Sequence, residues 1–275
     1  MIHTFPPKPR YFPSAKILLN EEVSLGYSMM MAAVPKDFTF APGQFLMVRV
    51  NHQLSPFLGR PMAIMSVEDG KLIFCYRVVG KGTGVLAQMR KNDVLQMWGP
   101  LGIPFSLPEN GPVALLAGGV GMPPLYSAAE TLFKIRKSAK GIYFFYGGRT
   151  SADVFFVDKL ERFCEKVFVT AEDGSIGVRG LVTLPFSEFL KDRQRDSLHV
   201  AGCGPYPMMK SIAEICSQKG IPCEVSLEER MACGVGVCLG CTALCASSQG
   251  EKSWIRLCVE GPVIDSSRVI WNRSR

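Results

Sequence analysis

Cys233-Gly234-Val235-Gly236-Val237-Cys238-Leu239-Gly240-Cys241, followed after sixteen residues by Cys258, sets four thiols at the spacing C-x4-C-x2-C-x16-C. Three ligands close in sequence and one distant is the spacing of a plant-type 2Fe-2S centre, which moves one electron at a time. Gly234, Gly236 and Gly240 let the backbone wrap tightly, with φ > 0 where needed, and turn N–H groups inward. Zinc is the competing reading, because C-x2-C is common in zinc sites. Zinc knuckles, however, set two such pairs a dozen or more residues apart, whereas here three cysteines crowd one glycine-rich loop. Cys245 lies four residues past Cys241 and competes for the fourth place. The apolar strand-like run Trp254-Ile255-Arg256-Leu257-Cys258-Val259 can return across the loop, so Cys233, Cys238, Cys241 and Cys258 are the expected ligands and Cys245 a buried spare thiol.

Upstream of that loop the chain divides in two. From about residue 11 to 107 short apolar or alternating runs (45–50, 72–79, 94–98) are separated by turn residues such as Pro42-Gly43 and Asn92-Asp93. That pattern predicts a small antiparallel barrel. One helix over 82–89 interrupts it, with Thr83 placed to cap. From Gly111 strands alternate with helices. Strands are expected at 113–117, 142–146, 166–170 and 198–201, and helices at 122–138, 152–164 and 207–219. Such alternation implies a parallel sheet with crossover helices. The fold class is therefore α+β and multidomain: an antiparallel barrel (1–109), a Rossmann-like α/β nucleotide-binding domain (110–222) and a small cluster domain (223–275).

Each of the first two domains carries cofactor signals. In the barrel, Arg60-Pro61-Met62-Ala63 and the stretch Tyr76-Arg77 to Gly82-Thr83 are the positions assigned to flavin. An arginine leaving a strand neutralises a pyrophosphate, and a Gly-Thr helix start offers N–H donors. Either signal alone is equally a solvated arginine or a plain cap. In the α/β unit, Gly118-Gly119-Val120-Gly121 follows the first strand and precedes a helix, an arrangement that lets backbone N–H groups approach a pyrophosphate. It is not the G-x-G-x-x-G fingerprint, and a tight turn with Pro123 entering the helix is the plain alternative. Cys203-Gly204-Pro205 forms a second loop at a strand's carboxyl end. Gly147-Gly148-Arg149-Thr150 can meet a ribose or phosphate. Glu172-Asp173-Gly174 is either a ribose contact or a solvated turn.

Composition narrows the classes. Apolar content of 47% with 20% charged is ordinary for a globular protein. The formal charge of +7 is spread over scattered residues, among them Lys134, Lys140, Lys191, Arg193 and Arg195, with no concentrated stripe or nucleic-acid motif. The N-terminal residues lack a secretory pattern, and no run of about eighteen apolar residues suggests a membrane span, so a cytoplasmic protein is expected. Ten cysteines with metal-ligand clustering fit a reducing compartment.

Taken together, Arg60-Pro61-Met62-Ala63, Gly118-Gly119-Val120-Gly121 and Cys203-Gly204-Pro205 resemble the ferredoxin-reductase superfamily. The terminal run from Glu229 to Cys241, with Cys258 ahead of Glu260-Gly261-Pro262-Val263, resembles the electron-transfer subunits of NAD-linked dihydroorotate dehydrogenases. The resemblance implies FAD, a 2Fe-2S cluster, NAD as acceptor, and a heterotetramer with an FMN-containing dihydroorotate dehydrogenase catalytic subunit, the pyrimidine-biosynthesis enzyme. It adds Cys75 to the FAD contacts (Arg60 to Ala63, Cys75 to Arg77, Gly82 and Thr83) and supports Gly118, Gly119, Gly121, Cys203 and Gly204 as nucleotide contacts. Ala63 departs from the family, where Ser is usual, and leaves only a backbone N–H for the flavin ring. Other members of the architecture, flavin subunits of an NADPH-ferredoxin transhydrogenase, a sulfhydrogenase or a sulfite reductase, would share this local chemistry. A zinc-binding or redox-sensing interaction module is the non-catalytic alternative.

Overall fold

In the computed structural model, residues 8–50, 55–191, 198–247 and 249–271 are described; Arg193 and Arg195 lie outside them. The first domain is a curled, seven-stranded antiparallel sheet. Its strands are β1 (Arg10–Ser24), β2 (Tyr27–Ala33), β3 (Phe45–Arg49), β4 (Arg60–Ala63), β5 (Ser66–Glu68), β6 (Lys71–Arg77) and, after helix α1 (Lys81–Gln88), β7 (Val94–Leu101). They run in the order β4-β3-β7-β1-β2-β6-β5. The long β1 pairs with β7 at one end and β2 at the other, and register shifts between Phe12 and Ala15 and between Ile17 and Leu19 bend it between the two. Ile17, Met30, Leu46, Val48, Phe74 and Met97 fill the interior. Thr83 is not the helix cap expected from the sequence. The cap position is Gly80, and Thr83 reaches back from the third helical residue so that its Oγ1 accepts the N–H groups of Val79 and Gly80.

The second domain is β8 (Val113–Gly118), α2 (Met122–Arg136), β9 (Ile142–Gly148), α3 (Val157–Leu160), β10 (Lys166–Ala171), β11 (Val178–Arg179), α4 (Thr183–Phe189), β12 (His199–Cys203), α5 (Tyr206–Lys219) and β13 (Cys223–Ser226). Its central strands are buried on both faces, which is why they read as unbroken apolar runs rather than alternating ones. Successive residues nonetheless go to opposite sides. Leu115, Phe144 and Tyr146 pack under α2, while Leu116, Tyr143 and Phe145 face α4 and α5. Phe145 lies fully buried, stacked on Phe168 at 4.5 Å and edge-on to Phe186 at 5.5 Å; enclosing such a side chain contributes about 2–3 kcal/mol.

Two expectations need correction. Residues 152–164 are not one helix: a short 3-10 turn at Ser151–Asp153 and the single turn of α3 flank an extended stretch that sends Phe155 into the core against Tyr27 and Tyr146. Residues 223–226, assigned to the third unit, belong to the nucleotide sheet, because β13 pairs in parallel with β12. The chain then forms the cluster unit, with β14 (Thr242–Ala246), β15 (Lys252–Arg256) and α6 (Leu257–Glu260), and returns as β16 (Val263–Asp265), antiparallel to β13. The full sheet order is β11-β10-β9-β8-β12-β13-β16. The strand order reverses direction between β8 and β12, and the crevice outside such a switch point is where open α/β sheets bind ligands.

Candidate functional site

At that switch point the two glycine loops interlock. A Cβ on Gly121 would stand 2.3 Å from the carbonyl oxygen of Cys203, and one on Gly204, where φ is +157°, would stand 2.9 Å from Gly118 N. Only glycine permits this approach, and the result is a crevice of about 450 Å³ with peptide groups along its floor. Gly118, Gly119, Gly121 and Gly204 line it, together with Gly147, Gly148, Arg149 and Glu172. Cys203, also expected there, does not line it: its carbonyl packs on Gly121 and its side chain is buried behind the loop, where burial pushes the thiol well up from its ordinary value. Facing these loops from the barrel are Tyr27 and Arg77.

A second cluster forms on the barrel. The Arg60 guanidinium lies directly on Gly82, so closely that no Cβ fits there. It donates to the carbonyl of Leu58, and among the described residues no salt bridge joins it to a carboxylate. Burial lowers its pKa from the ordinary guanidinium value. A part-buried cation without an anion, beside a helix start, suits a phosphate group. The strand β6 residues divide: the Cys75 thiol faces Met65 Sδ at 3.5 Å, and the Tyr76 hydroxyl donates to Asn20 Oδ1 at 2.9 Å within the barrel. Arg77 turns to the crevice, its guanidinium 5.4 Å above the Tyr27 ring. Met62 is buried in the barrel core, whereas the Arg60 side chain is brought to Gly82.

The cysteine loop gathers its thiols in two pairs, Cys233 beside Cys238 and Cys241 beside Cys258. Burial pushes Cys233 up, but the N–H groups of Cys238, Val235 and Val237 and the Cys238 thiol outweigh it and hold Cys233 at about 6. Burial and the Cys241 thiol push Cys258 up to about 12, against the N–H of Gly236. The loop is therefore donor-lined. Gly234 and Gly236 take φ of 71° and 83°, but the third left-handed residue is Leu239 at 57° rather than Gly240. Cys258 reaches the loop on the short helix α6, since the expected strand stops at Arg256; Leu257 N–H donates to Cys241 O at 3.0 Å. Cys245 sits fully buried on β14, with Arg268 as its charged neighbour. No group of three or more His, Cys, Asp or Glu is gathered closely enough among the described residues to hold a single metal ion. The loop rests on the barrel: Trp98 Nε1–H donates to Cys233 O at 3.1 Å, and Gly234 packs against Met47. On its outer side Val235, Val237 and Leu239 are 53%, 80% and 61% exposed.

Sequence reasoning missed Tyr27, Asp153, Met208 and Glu228 in the crevice. Asp153 sits three residues past the flagged Thr150, which caps the short turn while Asp153 reaches back to its N–H; that capping-box spacing is the signal that could have found it. Tyr27 had no signal in a β-rich run. Glu228 was hidden one residue ahead of the flagged cysteine-loop motif, and burial raises its carboxyl from the ordinary value.

Comparison with known proteins matches residues 228–270 to the iron-sulfur cluster binding domain of dihydroorotate dehydrogenase B and residues 115–214 to an oxidoreductase NAD-binding domain. Over 253 residues the chain is 35% identical to the dihydroorotate dehydrogenase B (NAD(+)) electron transfer subunit of Clostridium acetobutylicum, covering 92% of this chain and 95% of that one. The subunit of the same name from Desulforamulus reducens is 39% identical over 233 residues, covering 84% and 87%. Among solved structures, an NADH-dependent reduced ferredoxin-NADP oxidoreductase superposes with a TM-score of 0.81 at 27% identity, over 94% of this chain and 90% of that one. A ferredoxin NADP+ reductase from Neisseria gonorrhoeae with bound FAD and NADP shares the fold, at a TM-score of 0.65 and 19% identity over 76% and 92%. The chain belongs to the family of dihydroorotate dehydrogenase B (NAD(+)) electron transfer subunits.

Proposed function

We propose that this chain takes electrons from an FMN-containing dihydroorotate dehydrogenase catalytic subunit through a 2Fe-2S cluster and FAD to NAD+, in a cytoplasmic heterotetramer of two of each chain. The observation that carries the reading is the placement of the cysteine loop, which exposes apolar side chains on one side and rests on the flavin-type barrel through Trp98 and Met47 on the other. Cys233 with Cys238 and Cys241 with Cys258 would hold the cluster. A donor set in two pairs favours two irons over one zinc. Arg60, Gly82 and Thr83 would hold the FAD pyrophosphate, with backbone contacts from Pro61 to Ala63, Cys75 and Tyr76. Gly118, Gly119, Gly121, Cys203 and Gly204 would hold NAD+, and Arg77 and Arg149, which both line the crevice beside Tyr27, would meet its phosphates. Bound between them, FAD supplies the exchange between single electrons and a hydride that neither an iron-sulfur centre nor nicotinamide makes alone. Val235, Val237 and Leu239 would be covered by the partner. We assign the domains to 1–109 for FAD, 110–226 with the returning strand Val263–Asp265 for NAD, and the rest of 227–275 for the cluster. Among the described residues no helix is long and apolar enough to cross a membrane.

The reading is tested by purifying the chain with its partner. Co-elution with a dihydroorotate-oxidising FMN protein is expected, and loaded chain alone should reduce an artificial acceptor with NADH. Failure of that reduction, with FAD and cluster present, would sink the scheme. The 27% identity to the ferredoxin-NADP oxidoreductase favours a second reading, a transhydrogenase flavin subunit, and co-elution with a ferredoxin-linked partner would select it.

A further inference from the structure

On the reading above, FAD sits on the barrel and NAD+ on the nucleotide domain, so a hydride crosses a distance set between two domains. Apolar packing along β2, β6 and α2 joins them. At the crevice itself the joint is polar, and no cofactor motif contains it. Tyr27, the first residue of β2, donates its phenol to Asp153 Oδ1 at 2.5 Å across 126 positions of sequence. Asp153 Oδ2 accepts the N–H groups of Arg149 at 2.9 Å and Thr150 at 3.2 Å. The same carboxylate thus fixes the turn that follows Gly147-Gly148. Beside it, the Ser24 hydroxyl donates to Ala152 O at 2.7 Å. Tyr27 is 2% and Asp153 7% exposed, and both line the crevice. The Tyr27 ring is held between Phe155, at 5.2 Å, and the Arg77 guanidinium. Apolar surfaces tolerate sliding, whereas a charge-assisted hydrogen bond in dry surroundings is short and directional.

We propose that the Tyr27–Asp153 hydrogen bond, backed by Ser24 and Ala152, is an interdomain latch that sets the separation of flavin and nicotinamide, making Tyr27 and Asp153 positioning residues for hydride transfer. The latch exchanges no proton or electron. Its action is geometric: it keeps the Gly147–Arg149 turn, and the nucleotide that turn would carry, at a fixed distance from the barrel. The inference rests on NAD+ occupying this crevice.

The test is single-turnover reduction of bound FAD by NADH in the cofactor-loaded chain. Tyr27→Phe keeps the ring on Phe155 and under Arg77 and removes only the hydroxyl. FAD and cluster content should stay at wild-type levels while the reduction step slows about 10- to 100-fold, the scale of sub-ångström to ångström misplacement. The primary isotope effect with 4-deuterated NADH should grow, and the flavin–nicotinamide charge-transfer absorbance should weaken, neither of which a purely structural role would move. Adding Asp153→Asn to Tyr27→Phe should cost little more, because the two residues act as one unit. Ser24→Ala, which lies outside the crevice, should slow the step in the same direction. A Tyr27→Phe chain that melts lower but is reduced at the wild-type rate, with an unchanged charge-transfer band, overturns the latch alone. Wild-type chain that NADH leaves oxidised overturns the functional reading, and the latch with it.

Discussion

Gly121→Ala isolates the contact on which the nucleotide crevice depends. The backbone at Gly121 has φ −73° and ψ −3°, which alanine adopts without strain, so the effect is steric alone. The new methyl would meet Cys203 O at 2.3 Å, Cys203 C at 2.5 Å and Gly204 N at 2.8 Å. All three are backbone atoms, so no side-chain rotation relieves the clash. Against an ordinary contact of about 3.5 Å, the two loops must part by about 1 Å. Overpacking of this kind costs about 1–3 kcal/mol, which corresponds to a melting-temperature drop of roughly 3–10 °C. The larger effect is on the site, because both displaced loops line it: NADH-driven flavin reduction should fall about 100-fold. FAD content, set at Arg60 and Gly82 on the other domain, should not change. Stopped-flow reduction and a thermal melt on the same preparation measure both effects. A variant with wild-type melting and wild-type reduction would show that the loops are not packed as described.

Three further outcomes are expected. Cys258→Ser should bleach the cluster's visible absorbance and EPR signal, whereas Cys245→Ser should leave both intact and lower only the melting temperature, by the roughly 1–3 kcal/mol cost of a hydroxyl in a fully buried site. Arg60→Ala should weaken FAD binding about 10- to 100-fold, the loss of one charge-assisted contact, as read by flavin retention on dilution. The Tyr27–Asp153 latch should persist from about pH 4 to about pH 10. Burial pushes Asp153 up, but the Tyr27 phenol, the N–H groups of Thr150 and Arg149 and the Arg149 charge outweigh it and leave the carboxyl below its ordinary value, so its contribution is lost as pH falls through that depressed pKa. Burial first, and Asp153 second, raise Tyr27 to about 12 against the nearby Arg77 and Arg149 charges, so its contribution is lost as pH rises toward 12. The difference in melting temperature between wild type and Tyr27→Phe should therefore be flat across the neutral range and shrink at both extremes.

Local chemistry was legible in the sequence wherever a backbone demand forces a residue type. The Gly118–Gly121 and Gly204 loops announce themselves because a side chain would collide with backbone. The buried strands do so because both faces are covered. What failed to show was decided by tertiary contact. Residues 152–164 have helical spacing, yet Phe155 gains more by packing on Tyr27 and Tyr146 than by completing a turn, and Phe156 takes the left-handed φ of 61° that lets the chain turn back. Cys258 lies in a run that reads as strand, but the hydrogen bond from Leu257 N–H to Cys241 O draws it into a helical turn. Tyr27 and Asp153 were invisible as a pair because nothing local links residues so far apart.

The pairing of β13 with β16 has a further consequence. The chain leaves the nucleotide sheet at Ser226 and re-enters it at Val263, with Leu227 N–H donating to Pro262 O at 2.9 Å across the junction. The cysteine unit is thus an insertion clamped at both ends, not a bead on a tether. It cannot swing between an electron donor and an electron acceptor as a shuttle does. Current through it should behave as conduction along a fixed wire, indifferent to solvent viscosity and limited by the spacing of its stations.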